Sequence, residues 1–178
     1  MPRRAETVVA WIVFMRGAMR IGFLALALSA CTSWELMEPK TPPVAPFAAI
    51  PAGVGEICAL RPHWVAGAVT FVVRDNGFLV GATRGPSYFC WYAKPGLHVL
   101  TSEADDVEEL RGDVVVGGRY FVHQSVKNFL GHVTSPLAWV GENEAFAMVG
   151  KCSYKVLVAT PDPDVPPPPV PVVPGAKH

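Results

Sequence analysis

Apolar and polar residues alternate with a period of two rather than 3.6 through the middle of the chain, as they do in strands with one buried face. Ile57 to Arg61 reads as a short apolar strand stopped by Pro62. Val69, Phe71 and Val73 alternate with Ala68, Thr70, Val72 and Arg74. Asp75-Asn76-Gly77 then turns the chain. An Asn-Gly pair accepts the positive φ of a type I′ hairpin, which places Val80 across from Val73 and Ala82 across from Phe71. Ser87 to Ala93 is the next strand, and Lys94-Pro95-Gly96 closes it as a type II turn. Leu97 to Glu103 returns. After an acidic loop, Val114 to Val116 meets Arg119 to Gln124 across Gly117-Gly118, and His132 to Val140 and Tyr154 to Ala159 complete the set.

One helix is expected, from Glu142 to Lys151. Glu142 and Glu144 suit the positive end of its dipole, Lys151 suits the negative end, and Ala145, Met148 and Val149 share a face. Seven or eight short strands with frequent turn signals and one short C-terminal helix predict a mainly β fold, a transthyretin-like or immunoglobulin-like β-sandwich.

Proline marks the edges of this domain. Residues 31–53 carry Pro39, Pro42, Pro43, Pro46 and Pro51 without amphipathic period, and they read as a tether that could extend to about 60 Å. The sandwich is expected over 54–160. Residues 161–178 hold eight prolines, a polyproline II composition suited to a solvated tail, a docking ligand or a spacer towards the cell wall.

The N-terminal segment carries the most specific motif. Leu28-Ser29-Ala30-Cys31 follows the apolar run from Ile21 and the basic Arg16 and Arg20, in the order of a bacterial lipobox. A membrane-spanning helix needs about 20 apolar residues, and Arg16 and Arg20 interrupt the run here. Residues 1–30 therefore read as a signal peptide, with Met15 or Met19 as alternative starts, and Cys31 as the acylated first residue of the mature chain. Thr32 rather than Asp follows the cysteine, which by the sorting rule of Gram-negative lipoproteins favours the outer membrane, with the domain on its periplasmic face.

Lys plus Arg and Asp plus Glu number 15 each, which leaves no basic field for nucleic acid. The mean hydropathy of +0.30 is raised by the leader and the Pro-Val tracts.

Chemistry-bearing residues are few. Once Cys31 is acylated, Cys58, Cys90 and Cys152 remain, an odd number in an oxidising compartment, where one disulfide and one buried thiol are expected. A helix packed over the Tyr88 and Tyr92 face would pair Cys90 with Cys152 and leave Cys58 free. The spacing of His63, His98, His123 and His132 selects none of them as a base or metal ligand. Glu103, Asp105, Asp106, Glu108 and Glu109 fail the EF-hand pattern and read as a solvated loop. Ser87, Ser102 and Ser135 lack a nucleophile elbow, and Gly53-Val54-Gly55 is not a phosphate loop. No catalytic residue, metal or cofactor is expected. Period two sends Phe89 and Trp91 to one face of their strand and Tyr88 and Tyr92 to the other. Either both faces are covered, or Tyr88, Trp91 and Tyr92 contribute to an exposed strip that binds glycan or protein.

Leu60-Arg61-Pro62, the hairpin from Val73 to Gly81, Tyr88, Pro95-Gly96-x-His98 and Gly118-x-Tyr120-Phe121-Val122 resemble, in order, a family of small bacterial lipoproteins catalogued as domain of unknown function twenty-eight forty-six. The resemblance spans about residues 56 to 140. It implies a transthyretin-like or PEGA-like sandwich without assigned catalytic residues. The expectation is a lipid-anchored envelope lipoprotein, a non-enzymatic binding or structural module contacting envelope protein or cell-wall glycan. The alternative is a thiol-dependent envelope enzyme using Cys90 or Cys152.

Overall fold

A computed structural model of the chain describes residues 33–40 and 48–168. The leader, with Met15, Met19 and Cys31, lies outside the described residues, as do 41–47 and the tail beyond 168. The described residues are mainly β, with 53% of them in strands and 6% helical. In chain order the elements are β1 (Glu35–Met37), β2 (Gly55–Arg61), β3 (Thr70–Asp75), β4 (Phe78–Arg84), β5 (Ser87–Ala93), β6 (Gly96–Glu103) and β7 (Val107–Val114). They continue with β8 (Arg119–Gln124), β9 (Lys127–Phe129), β10 (His132–Thr134), β11 (Leu137–Val140), α1 (Glu142–Val149), β12 (Ser153–Tyr154) and β13 (Val156–Ala159).

Two sheets carry the core. One has the order β11-β8-β2-β5-β12 and the other β4-β3-β6-β7. All seven residues of the central strand β2 are buried, its charged ends Glu56 and Arg61 included. Phe89 and Trp91 stack at 5.5 Å on the face towards the second sheet, where Gly81 of β4 makes room for the Phe89 ring: a Cβ there would lie 2.3 Å from it. Polar side chains join the sheets too. The Thr83 hydroxyl donates to Gln124 Oε1 at 2.8 Å, and Gln124 Nε2 donates to the Ser102 hydroxyl at 2.9 Å, so these buried groups satisfy one another.

The opposite face of the five-stranded sheet is covered as well. Tyr88 meets Tyr154 edge-on at 5.1 Å, and α1 buries Ala145 completely. Tyr88 and Trp91 are accordingly buried, and Tyr92 is half-buried, so the exposed-strip reading of these residues is corrected. Strand β5 is central, and a central strand needs both faces covered.

Register accounts for other departures. Asn76 and Gly77 take φ of 49° and 82°, as a type I′ turn requires, but Val73 faces Gly81 and Phe71 faces Thr83. The shift lies between Val73 and Arg74, where Val80 is the extra residue of a bulge, a device that a count from the turn cannot reveal. The acidic stretch is not all loop. Glu108 and Glu109 lie in β7, which pairs with β6, while β8 runs parallel to β2, so the expected hairpin of 114–116 with 119–124 does not form. Ser135-Pro136 splits the strand expected over 132–140, and the helix ends at Val149, two residues early.

The tether is partly structured. β1 pairs antiparallel with β13, Glu35 opposite Ala159, and the Ala48 carbonyl accepts from Arg119 Nη2. Trp34-Glu35-Leu36-Met37 is too short to show a period, and its partner lies over a hundred residues away in sequence.

Gly77 has nothing within 4 Å of a built Cβ, so a substitution there tests backbone conformation alone. Gly77→Val should destabilise the domain by roughly 1–2 kcal/mol, because a β-branched residue is forced to positive φ. Equilibrium denaturation measures this, and an unchanged midpoint would contradict the turn.

Candidate functional site

The candidate site is built at the end of the sandwich where β2 stops. Pro62 ends that strand, and the loop 62–69 must then place several backbone carbonyls near the core, where they need donors. Arg61 supplies them. Its guanidinium, fully buried, donates to the carbonyls of Val69 at 2.8 Å, Val65 at 3.0 Å and Ala66 at 2.7 Å, and lies 3.8 Å over the Phe71 ring. Burial lowers its pKa to about 10, so it remains charged at neutral pH.

This loop presents Trp64, which is 79% exposed. The indole is nevertheless seated: Cβ atoms built on Gly67 and Gly85 would stand 3.2 and 3.4 Å from its ring. Beside it opens a cleft of ≈ 510 Å³ lined by Trp64, Glu38, Pro86, Lys151, Cys152 and Lys155, among others. Lys155 Nζ donates to the Arg84 carbonyl at 3.1 Å. Arg84 in turn donates through Nη2 to the Trp34 carbonyl at 2.8 Å, linking the cleft to the N-terminal segment. An exposed indole beside two ammonium groups suits a ligand with an apolar or ring face and negative charge.

The cysteines depart from the expected pairing. Cys58 and Cys90 form the disulfide, with Cα atoms 4.1 Å apart, and Cys152 is the free thiol, which corrects the Cys90–Cys152 assignment. The cause is strand register. β2 and β5 are antiparallel with Arg61 opposite Ser87, and Cys58 and Cys90 stand equally far from those flush ends. That equal offset was the signal in the sequence. In the chain-entropy model the bridge is worth roughly 3–4 kcal/mol.

Cys90 is therefore not a thiol in this form. Cys152 Sγ donates to the Arg61 carbonyl at 3.5 Å, and burial pushes its pKa up to about 11, against a smaller opposing effect of the Lys151 charge. A protonated thiol is a poor nucleophile. Among the described residues Glu56, Cys58 and Cys90 come within metal-ligand distance of one another, but both sulfurs are in the disulfide, and Glu56 pairs with Arg119 Nε at 2.5 Å.

The histidines scatter. His63 and His123 approach with ring centroids 5.7 Å apart, and burial, then the His63 charge, lowers the His123 pKa against the pull of Glu144. His132 reaches Asp106 at 2.8 Å on the surface. Other members of the acidic cluster find separate partners: Glu103 pairs with Arg74, Glu109 with Arg111, and Asp105 Oδ2 accepts from the Val133 amide. His98 is the buried one. Its Nδ1 donates to Asp75 Oδ1 at 2.6 Å and its Nε2 to the Lys94 carbonyl at 2.7 Å, while Trp91 Nε1 donates to Asp75 Oδ2 at 3.0 Å. A carbonyl and a carboxylate both accept, so both ring nitrogens carry protons and neither is free to act as a base.

No family model, curated protein or solved structure matches the chain.

Burial alone would lower the His98 pKa, but the Lys94 carbonyl and the Asp75 hydrogen bond and charge outweigh it and raise it above the usual value near 6.5. A group whose folded pKa is raised stabilises fully below its unfolded pKa and loses that contribution as pH rises through the folded value. Stability measured by denaturation should therefore fall from about pH 6.5 upward, more steeply for the native chain than for His98→Asn. Parallel curves would contradict the charged pair.

Proposed function

We propose that the protein is a lipid-anchored lipoprotein of the bacterial envelope, sorted to the outer membrane, and acts as a non-enzymatic binding or structural module towards envelope protein or the cell wall. The observation that carries the reading is the pairing of β1 with β13. Glu35 lies opposite Ala159, so the segment leading from Cys31 and the Pro-rich segment starting at Pro161 leave the sandwich at one corner. A rigid body that joins a membrane anchor to a long Pro-rich arm suits a module whose task is to place contacts. Residues 160–165 fold into a turn, and the thirteen residues after it would reach about 40 Å if extended at ~3.1 Å per residue. The resemblance of the turn motifs to small bacterial lipoproteins supports the same reading. None of the described helices is long and apolar enough to cross a membrane.

The thiol of Cys31 is the attachment atom. Cys31→Ala should move the protein from the membrane fraction to the soluble fraction or leave an unprocessed precursor, as read by fractionation and intact mass. Membrane retention at mature size would overturn the anchor. Crosslinking in intact envelopes, with and without residues 161–178, tests the binding role: the expected outcome is a discrete partner lost with the tail or with cleft substitutions.

A further inference from the structure

We propose that the end of the sandwich bearing Trp64 rests on the bilayer that holds the anchor, with the indole at the lipid–water interface and Lys151 and Lys155 against anionic phospholipid headgroups. This rests on the reading of Cys31 as the lipid attachment.

The first support is the length of the leash. Cys31 precedes Trp34 by three residues, and the Trp34 carbonyl is held by Arg84 at 2.8 Å. Three residues span at most about 11 Å when extended. The acyl chains must therefore enter the bilayer within that distance of Trp34, and a domain so leashed lies against the membrane rather than above it. Arg84 also opens the β4–β5 turn, where a Cβ on Gly85 would lie 3.4 Å from the Trp64 ring and Pro86 lines the cleft. The leash and the Trp64 cleft thus share one end of the strands.

The second support is the composition of that end. Trp64 is 79% and Val65 52% exposed, and both stand on a loop fixed from beneath by the buried Arg61. Aromatic residues with a polar edge favour the membrane interface, and ammonium groups there meet anionic headgroups. The cleft of ≈ 510 Å³ places Lys151 and Lys155 beside the indole, with Glu38 as the acidic member of its lining. Phe78, 77% exposed, is at the opposite end of β3, about 17 Å away along a strand of this length, and Phe129, 76% exposed, stands on the separate β9–β10 hairpin.

Hydrogen exchange with mass spectrometry tests the contact. The mature chain carrying Cys152→Ser is coupled through Cys31 to maleimide-bearing vesicles of phosphatidylcholine and phosphatidylglycerol, and in parallel to a soluble maleimide polymer. Amides of 62–69 and 150–155 should exchange several-fold more slowly on the vesicles, with no change at 75–79. Vesicles of phosphatidylcholine alone should give weaker protection, and the triple variant Trp64→Ser, Lys151→Gln, Lys155→Gln should lose it while melting as the parent does. Equal exchange on vesicle and polymer, protection at 75–79 instead, or undiminished protection in the triple variant would each overturn the proposal. Chemical coupling makes the result independent of acylation in the cell. A chain isolated from cells without acyl mass on Cys31 would overturn the anchor reading instead.

Discussion

The buried guanidinium of Arg61 is the interaction on which the end of the sandwich bearing Trp64 depends. It satisfies three carbonyls of the loop 62–69 and stacks on Phe71 of the facing sheet, so one side chain closes the sandwich at that end and fixes the loop that presents Trp64. A cation in the core is costly to desolvate, and its lowered pKa reflects that cost. Removing it would leave the carbonyls of Val65, Ala66 and Val69 without this donor, and the loop would have little reason to keep its shape. The exposure of Trp64 is therefore a consequence of order beneath it rather than of a loose surface loop.

Around this point the sheet is secured by neighbours with different chemistry. The Cys58–Cys90 bridge joins the two central strands three residues away from the Arg61–Ser87 pair, and the Thr83–Gln124–Ser102 chain joins the two sheets. At the far end, His98 and Trp91 both donate to Asp75, so both ends of the sandwich have a polar clasp. The difference lies in what they leave exposed. The far clasp gathers its groups inward, whereas Arg61 holds a loop that projects an indole beside two lysines and next to the segment leading to Cys31.

Local chemistry was legible in the sequence where a single residue type forces it. The positive φ of Asn76 and Gly77, the positive φ of Gly96 and the opposite faces of Phe89 and Tyr88 all follow from backbone sterics and strand period. Long-range register was not. The bulge at Val80 moved the partners of Val73, Val72, Phe71 and Thr70 by one residue, and the true disulfide depended on how β2 and β5 align. Charged residues misled in the same way. Arg61 looked like the polar end of an apolar strand, and Glu108 and Glu109 looked like loop, because side-chain type alone does not tell which charges find partners. The cleft was invisible for a related reason: Glu38, Trp64 and Lys151 are distant in sequence and meet only once β1 has docked on β13.

Under the proposed anchoring at Cys31, the docking of β1 changes the expected geometry of the domain on the bilayer. A Pro-rich tether over 31–53 would let the domain float tens of ångströms from the bilayer, but with Trp34 and β1 held only the residues before them remain as leash. Neutron reflectometry of the acylated protein on a supported bilayer measures this height directly. Protein density beginning at the headgroups, with no intervening water layer, is the predicted profile. A hydrated gap of a few tens of ångströms between headgroups and protein, as an extended tether of that length would permit, would contradict it.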